Sequence, residues 1–96
     1  MLKDTIIPLI DKYFRTCPVN KAYLFGSVAR GEESKDSDID VLVELDRTKP
    51  IGLEFIEMQI TLQKLLHRKV DLVTNKALSK YIKPYIDKEK VLIYEK

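Results

Sequence analysis

Residues 39–45 read Ile-Asp-Val-Leu-Val-Glu-Leu, and their period of two is the strongest constraint on what this chain can fold into. Ile39, Val41, Val43 and Leu45 fall on one side of an extended segment, with Asp38, Asp40, Leu42 and Glu44 on the other. A strand with one continuous apolar side must be covered by another layer, so the rest of the chain has to supply amphipathic elements that pack on it. The same strand opens with two carboxylates two residues apart. They project from one face roughly 7 Å apart at the backbone, and like charges held that close repel.

The covering layer is legible on both sides of this strand. Ile6, Ile10, Tyr13, Phe14 and Cys17 recur at helical spacing and predict a helix over 4–16, with Pro8 near the first turn, where its missing N–H does little harm. Pro18 pushes Cys17 out of the α region and ends that helix. Residues 21–25 predict a short strand stopped by Gly26, and residues 26–37, rich in Gly, Ser and charge, a loop with room for one helical turn. A polar loop follows over 46–50. Phe55, Met58, Leu62 and Leu65, widened by Ile56, Ile60 and Leu66, predict a helix over 52–68. Residues 69–73 alternate again around Asp71, 79–87 predict a helix interrupted near Pro84, and 91–94 a last strand. The order α-β-β-α-β-α-β defines an α/β (α+β) fold, a small mixed sheet flanked by helices.

At 96 residues the expectation is one small domain spanning 1–96. A domain of this size buries only about 60–65% of its unfolded surface, so modest stability is expected. Seventeen Lys and Arg against 15 Asp and Glu leave a net charge of +2, which argues against direct nucleic-acid binding even with the basic run Lys64, His67, Arg68, Lys69. The 45% hydrophobic fraction is enough for a core. Cys17 is the sole cysteine, which excludes an internal disulfide or a Cys-based zinc site. The apolar stretch 6–10 is interrupted by Pro8 and flanked by Asp4 and Asp11, so it is neither a signal h-region nor a membrane span. The expected compartment is the cytoplasm, with no membrane partner.

The candidate chemistry lies in Leu24-Phe25-Gly26-Ser27-Val28-Ala29-Arg30-Gly31 and Ser37-Asp38-Ile39-Asp40. A cation between Asp38 and Asp40 would relieve their repulsion, and Asp71, in a second strand, is placed to bring a third carboxylate to the same face. Hard oxygen ligands of this kind suit Mg²⁺, completed by water and phosphate oxygens. A strand ending in Gly-Ser lets the backbone approach an anion closely, with the Ser hydroxyl as a donor, and Arg30 offers a forked donor to the same anion. Each feature alone has a plainer reading: solvent-facing aspartates, a helix N-cap at Ser27, a surface charge at Arg30.

Taken together the residues resemble a known signature. Gly26-Ser27, ten intervening residues and Asp38-Ile39-Asp40 match the Gly-Ser-x10-Asp-x-Asp motif of the DNA polymerase beta-like nucleotidyltransferase superfamily. Within it, residues 25–32 and 37–43 resemble the minimal nucleotidyltransferases of prokaryotes, and Val70-Asp71-Leu72-Val73 is similar to the strand that supplies their third carboxylate. The resemblance implies the polymerase beta-like fold and transfer of a nucleoside monophosphate from a triphosphate, ATP by preference, with release of pyrophosphate. It implies that Asp38, Asp40 and Asp71 are catalytic and bind Mg²⁺, two ions in all, and that Gly26, Ser27 and Arg30 bind the nucleotide. Many minimal members are antitoxins that attach AMP to a tyrosine of a HEPN-domain toxin, which makes such a toxin the implied partner and leaves homo- or hetero-oligomers open. Two other readings share the same motif: a small-molecule enzyme of the aminoglycoside-modifying kind, and an antitoxin that neutralises by binding alone.

The remaining conspicuous residues have structural explanations. His67 falls near a helix C-terminus, where it complements the dipole. Cys17 reads as a half-buried packing residue, and Tyr13, Tyr23, Tyr81, Tyr85 and Tyr94 as packing or rim residues.

Overall fold

The computed structural model describes residues 2–96. The chain runs α1 (Leu2–Phe14), β1 (Val19–Phe25), α2 (Gly26–Arg30), β2 (Ile39–Leu45), α3 (Leu53–Leu66), β3 (Val70–Thr74), a 3₁₀ turn at Asn75–Ala77, α4 (Lys83–Glu89) and β4 (Val91–Glu95). The four strands form one mixed sheet in the order β3-β2-β1-β4. β1 is antiparallel to both β2 and β4, whereas β2 and β3 are parallel and are joined by the crossover helix α3. This is the small mixed sheet with helices that the alternating and helical segments require.

The core lies on one face of the sheet. Ile39, Val41 and Val43 of β2 are fully buried, as their alternation demands, together with Val19, Ala22 and Leu24 of β1. Ile6, Ile10 and Phe14 of α1 and Met58, Leu62 and Leu66 of α3 close over them in one cluster. Leu42 and Ile86 are also buried but sit outside that cluster. Leu42 alternates with Val41 and Val43, so it belongs to the second face, the face that carries Asp40.

Several elements differ from the sequence expectation, each for a physical reason. α1 begins at Leu2 rather than residue 4, which places Pro8 inside the helix and not in its first turn. An interior proline costs about 3 kcal/mol; here Ile6, Ile10 and Phe14, all buried on one stripe, hold the helix through it. α1 also closes at Phe14, and Cys17 lies in the following turn, partly buried, with its Sγ 3.5 Å from the Tyr13 carbonyl oxygen. α3 stops at Leu66 because His67 adopts a left-handed conformation, φ 54°, as its C-cap. Proline 84 does not interrupt α4 but starts it, in the first turn where no N–H is needed. Three of the seven residues of the expected α3 stripe face outward: Ile56, Ile60 and Leu65 are exposed, Met58, Leu62 and Leu66 are buried, and Phe55 is half-buried against the core.

Among the described residues, no helix is long and apolar enough to cross a membrane.

Candidate active site

The site is built where β1 ends and β2 begins. Antiparallel pairing sets Phe25, the last residue of β1, opposite Asp40, and parallel pairing sets Asp71 of β3 beside Asp40 on the other side. Neighbouring strands lie about 4.8 Å apart, and laterally paired residues share a face. Asp40 and Asp71 therefore stand side by side, with Asp38 just ahead of the strand. The register that buries Ile39 and Val41 on the core face necessarily presents Asp40 on the other.

Gly26 turns the chain straight from β1 into α2 with φ +75°. A side chain at this position would run into the Asp40 carboxylate, so only glycine lets the turn lie against it. Ser27 follows as the second residue of α2. Its hydroxyl makes no hydrogen bond within the described residues, while its carbonyl oxygen accepts from Glu32 N at 2.9 Å. The segment expected to be mostly loop therefore holds a five-residue helix, capped at its end by Gly31 with φ +72°.

The electrostatics follow from this packing. Burial pushes the Asp40 carboxyl up to about 6, and the charges of Asp71 and Asp38 add to the shift. Arg30 pulls it the other way and Glu89 reinforces it. Asp38 is more exposed and lies 4.0 Å from the Lys69 ammonium. Uncompensated carboxylate charge at Asp40 is what a divalent cation would neutralise, and the donor set is all hard oxygen. Asp38, Asp40 and Asp71 are the residues whose oxygen chemistry would suit Mg²⁺. Among the described residues, however, no three carboxylate, imidazole or thiolate groups converge tightly enough to hold an ion alone. The expected convergence of three carboxylates is therefore lateral adjacency rather than a closed cage, and substrate oxygens and water would have to complete any coordination.

Arg30 is not a free surface charge. Its Nε donates to Glu32 at 2.7 Å and its Nη1 to Glu89 at 2.8 Å. Two of its five N–H donors are thus engaged, which leaves the others for a ligand. The Gly26 N–H is likewise engaged, donating to Glu89 Oε1 at 3.0 Å. Of the three residues expected to meet a nucleotide, Ser27 is the one whose side chain is wholly uncommitted among the described residues, while Arg30 is partly engaged.

Two residues of the site surroundings were not singled out from sequence. Glu89, the last residue of α4, reaches both Gly26 and Arg30 across more than fifty positions of chain, and nothing local marks it. Arg68 donates from Nη1 to the carbonyl oxygens of Ser34 and Ser37 at 3.1 and 3.3 Å, tying down the loop that leads into Asp38. Arg68 lies in the basic run with His67 and Lys69, and nothing in that run marks it as an anchor for residues more than thirty positions away. A cavity of about 740 Å³ lies at the other end of β2 and β3, against Leu45, Asp46 and Thr74, and does not reach the three aspartates.

A mixed four-stranded sheet with a Gly-Ser turn laid against an Asp-x-Asp strand is the frame of a nucleotide-handling enzyme. Residues 7–93 match the family model of the nucleotidyltransferase domain, and the chain belongs to that family. It is 43% identical over 88 residues to MJ1379, a candidate protein adenylyltransferase of Methanocaldococcus jannaschii, covering 90% of this chain and 82% of that protein. It is 39% identical over 75 residues to the protein adenylyltransferase MntA of Thermococcus cleftensis, covering 78% and 75%. Solved structures share the fold. One is a toxin–antitoxin with AMP-PNP, TM-score 0.78 and 24% identity, covering 94% of this chain and 73% of that one. Another is a tri-AMPylated Shewanella oneidensis HEPN toxin in complex with its MNT antitoxin, TM-score 0.72 and 21% identity, covering 100% and 74%.

Proposed function

We propose that this nucleotidyltransferase is an antitoxin that transfers AMP from ATP to a tyrosine hydroxyl of a HEPN-domain toxin and releases pyrophosphate, with Mg²⁺ as its metal. The observation that carries the reading is the Gly-Ser turn packed on Asp40 with Asp71 at its side. The likeness to protein adenylyltransferases over most of the chain supports a protein acceptor. A similar fold occurs in an antitoxin complexed with an AMPylated HEPN toxin, which supports that partner.

In this reading the incoming triphosphate lies along the Gly26–Ser27 turn, where the Ser27 hydroxyl donates to a phosphate oxygen and the remaining Arg30 donors offset charge. Asp38 and Asp40 would hold the Mg²⁺, with Asp71 as the third carboxylate. Bound Mg²⁺ supplies neutralisation of the phosphate charge and polarisation of the reacting oxygens. Asp71, side by side with Asp40, receives or directs away the tyrosine proton. The tyrosine oxygen forms a bond to the α-phosphorus as the bond from that phosphorus to the bridging oxygen of the β-phosphate breaks, and pyrophosphate carries off the electron pair. The cytoplasm, where ATP is abundant, is the compartment this chemistry needs.

The test is neutralisation of a HEPN partner from the same source. Toxin incubated with this protein, ATP and Mg²⁺ should lose activity and carry AMP on a tyrosine peptide by mass spectrometry, whereas Asp38→Ala should leave it active and unmodified. Neutralisation that proceeds equally without ATP would replace transfer with simple blocking.

A further inference from the structure

Among the described residues, Glu89 is the one charged residue that bonds to both ends of α2. Its Oε1 accepts from the Gly26 N–H at the start of that helix, 3.0 Å away, and its Oε2 accepts from Arg30 Nη1 at its end, 2.8 Å away. The two bonds span 63 and 59 positions of sequence. We propose that Glu89 is a positioning residue for nucleotide binding: it sets the Gly26–Ser27 turn and the Arg30 guanidinium for the triphosphate. The inference deepens the proposed nucleotidyl transfer and rests on it.

Four observations carry the argument. A helix of five residues does not hold itself together in water, because nucleation fixes several residues for each hydrogen bond gained. The residue at the N-cap, Phe25, has no side-chain acceptor, so the first N–H of α2 has no local partner. Glu89 supplies that cap from another element. Its backbone is fixed in turn, since it stands two residues before Val91, which pairs with Leu24 of β1.

The turn also has little freedom to shift. Gly26 lies so close to the Asp40 carboxylate that even a β-carbon would collide with it. Movement of the turn therefore moves the Ser27 hydroxyl relative to Asp40, the geometry the triphosphate must bridge. A neutral side chain could cap Gly26 as well as Glu89 does and would spare Asp40 the added repulsion. The negative charge of Glu89 is instead used on Arg30, whose guanidinium it fixes in company with Glu32. Near an acidic cluster, a carboxylate is a costly choice for a purely structural cap.

The experiment measures Mg·ATP affinity directly, by displacement of a fluorescent ATP analogue from the full chain, beside thermal melting. Glu89→Gln keeps an acceptor for Gly26 and loses the charged bond to Arg30; Glu89→Ala loses both. Glu89→Gln should weaken ATP binding about three- to tenfold and Glu89→Ala further, a fraction of what a hydrogen bond to a charged group contributes, because Glu89 acts on the nucleotide only through the turn and Arg30. Asp87→Asn is the control, because Asp87 pairs only within the same stretch, with Lys83 and Lys90, and its loss loosens α4 without touching the turn. It should leave ATP affinity unchanged. Unaltered or tighter binding by Glu89→Gln would overturn the proposal, the tighter case meaning that the carboxylate competes with phosphate for the turn. Equal weakening by Asp87→Asn would reduce Glu89 to a helix-stabilising role. Wild-type protein that binds no ATP would end the transferase reading itself, and this inference with it.

Discussion

Asp40→Asn should stabilise the metal-free protein at neutral pH while abolishing transfer. The folded carboxyl titrates at about 6 against 3.8 in the unfolded chain, because burial and the charges of Asp71 and Asp38 oppose its ionisation. The sign follows from linkage: the folded state holds the proton more tightly, so this group's stabilising contribution is complete below pH 3.8 and is lost as pH rises through about 6. Taken in full the displacement is worth about 3 kcal/mol. Asp40 is only partly buried, and solvent screening reduces this to about 1–2 kcal/mol. For a domain of this size that is a rise in Tm of about 5–10 °C. Urea unfolding in EDTA should show the variant more stable than wild type at pH 7.5, with the difference shrinking steadily towards pH 4. Mg²⁺ should then raise wild-type stability and leave the variant unmoved. A variant less stable than wild type at pH 7.5, or a difference that does not change with pH, would refute the picture of a repelled, partly desolvated carboxylate.

The other expectations concern the supports of the site and core. Gly26→Ala should cost at least about 1–2 kcal/mol from its left-handed backbone alone and weaken ATP binding, since the added methyl meets Asp40; urea unfolding and ligand titration read both. Leu62→Ala should cost about 2–5 kcal/mol because Leu62 is fully buried, whereas Ile56→Ala, exposed on the same helix, should stay within about 0.5 kcal/mol. Arg68→Ala should speed amide exchange over residues 34–37, because the Ser34 and Ser37 carbonyls lose their anchor. Unchanged exchange there would remove Arg68 from the support of Asp38.

What the sequence disclosed, and what it concealed, divides by range of interaction. The alternation of Ile39 to Leu45 dictates a strand, a buried side and the side on which Asp40 stands, since all three follow from a period of two. Gly26 was legible as a stop, but its collision-free contact with Asp40 depends on pairing between Phe25 and Asp40, which no local pattern encodes. α2 was legible only as room for one helical turn, because a five-residue helix with no apolar stripe of its own has no periodicity to fix its bounds. Ile56, Ile60 and Leu65 belonged to the expected buried face of α3, yet Met58, Leu62 and Leu66, with Phe55 packed beside them, are the ones that reach the core. Glu89 and Arg68 act entirely through distant partners, so their parts emerge only from the fold.

Whether the AMP moiety passes to protein is decided by the position of an isotopic label. Wild-type protein should be incubated with Mg²⁺, a HEPN-domain protein from the same source, and ATP labelled at either the α- or the γ-phosphate, with Asp40→Asn in parallel. Label should reach the HEPN protein from α-labelled ATP only, on tyrosine, and should be absent with Asp40→Asn. Transfer from γ-labelled ATP, or α-label that persists with Asp40→Asn, would contradict that expectation.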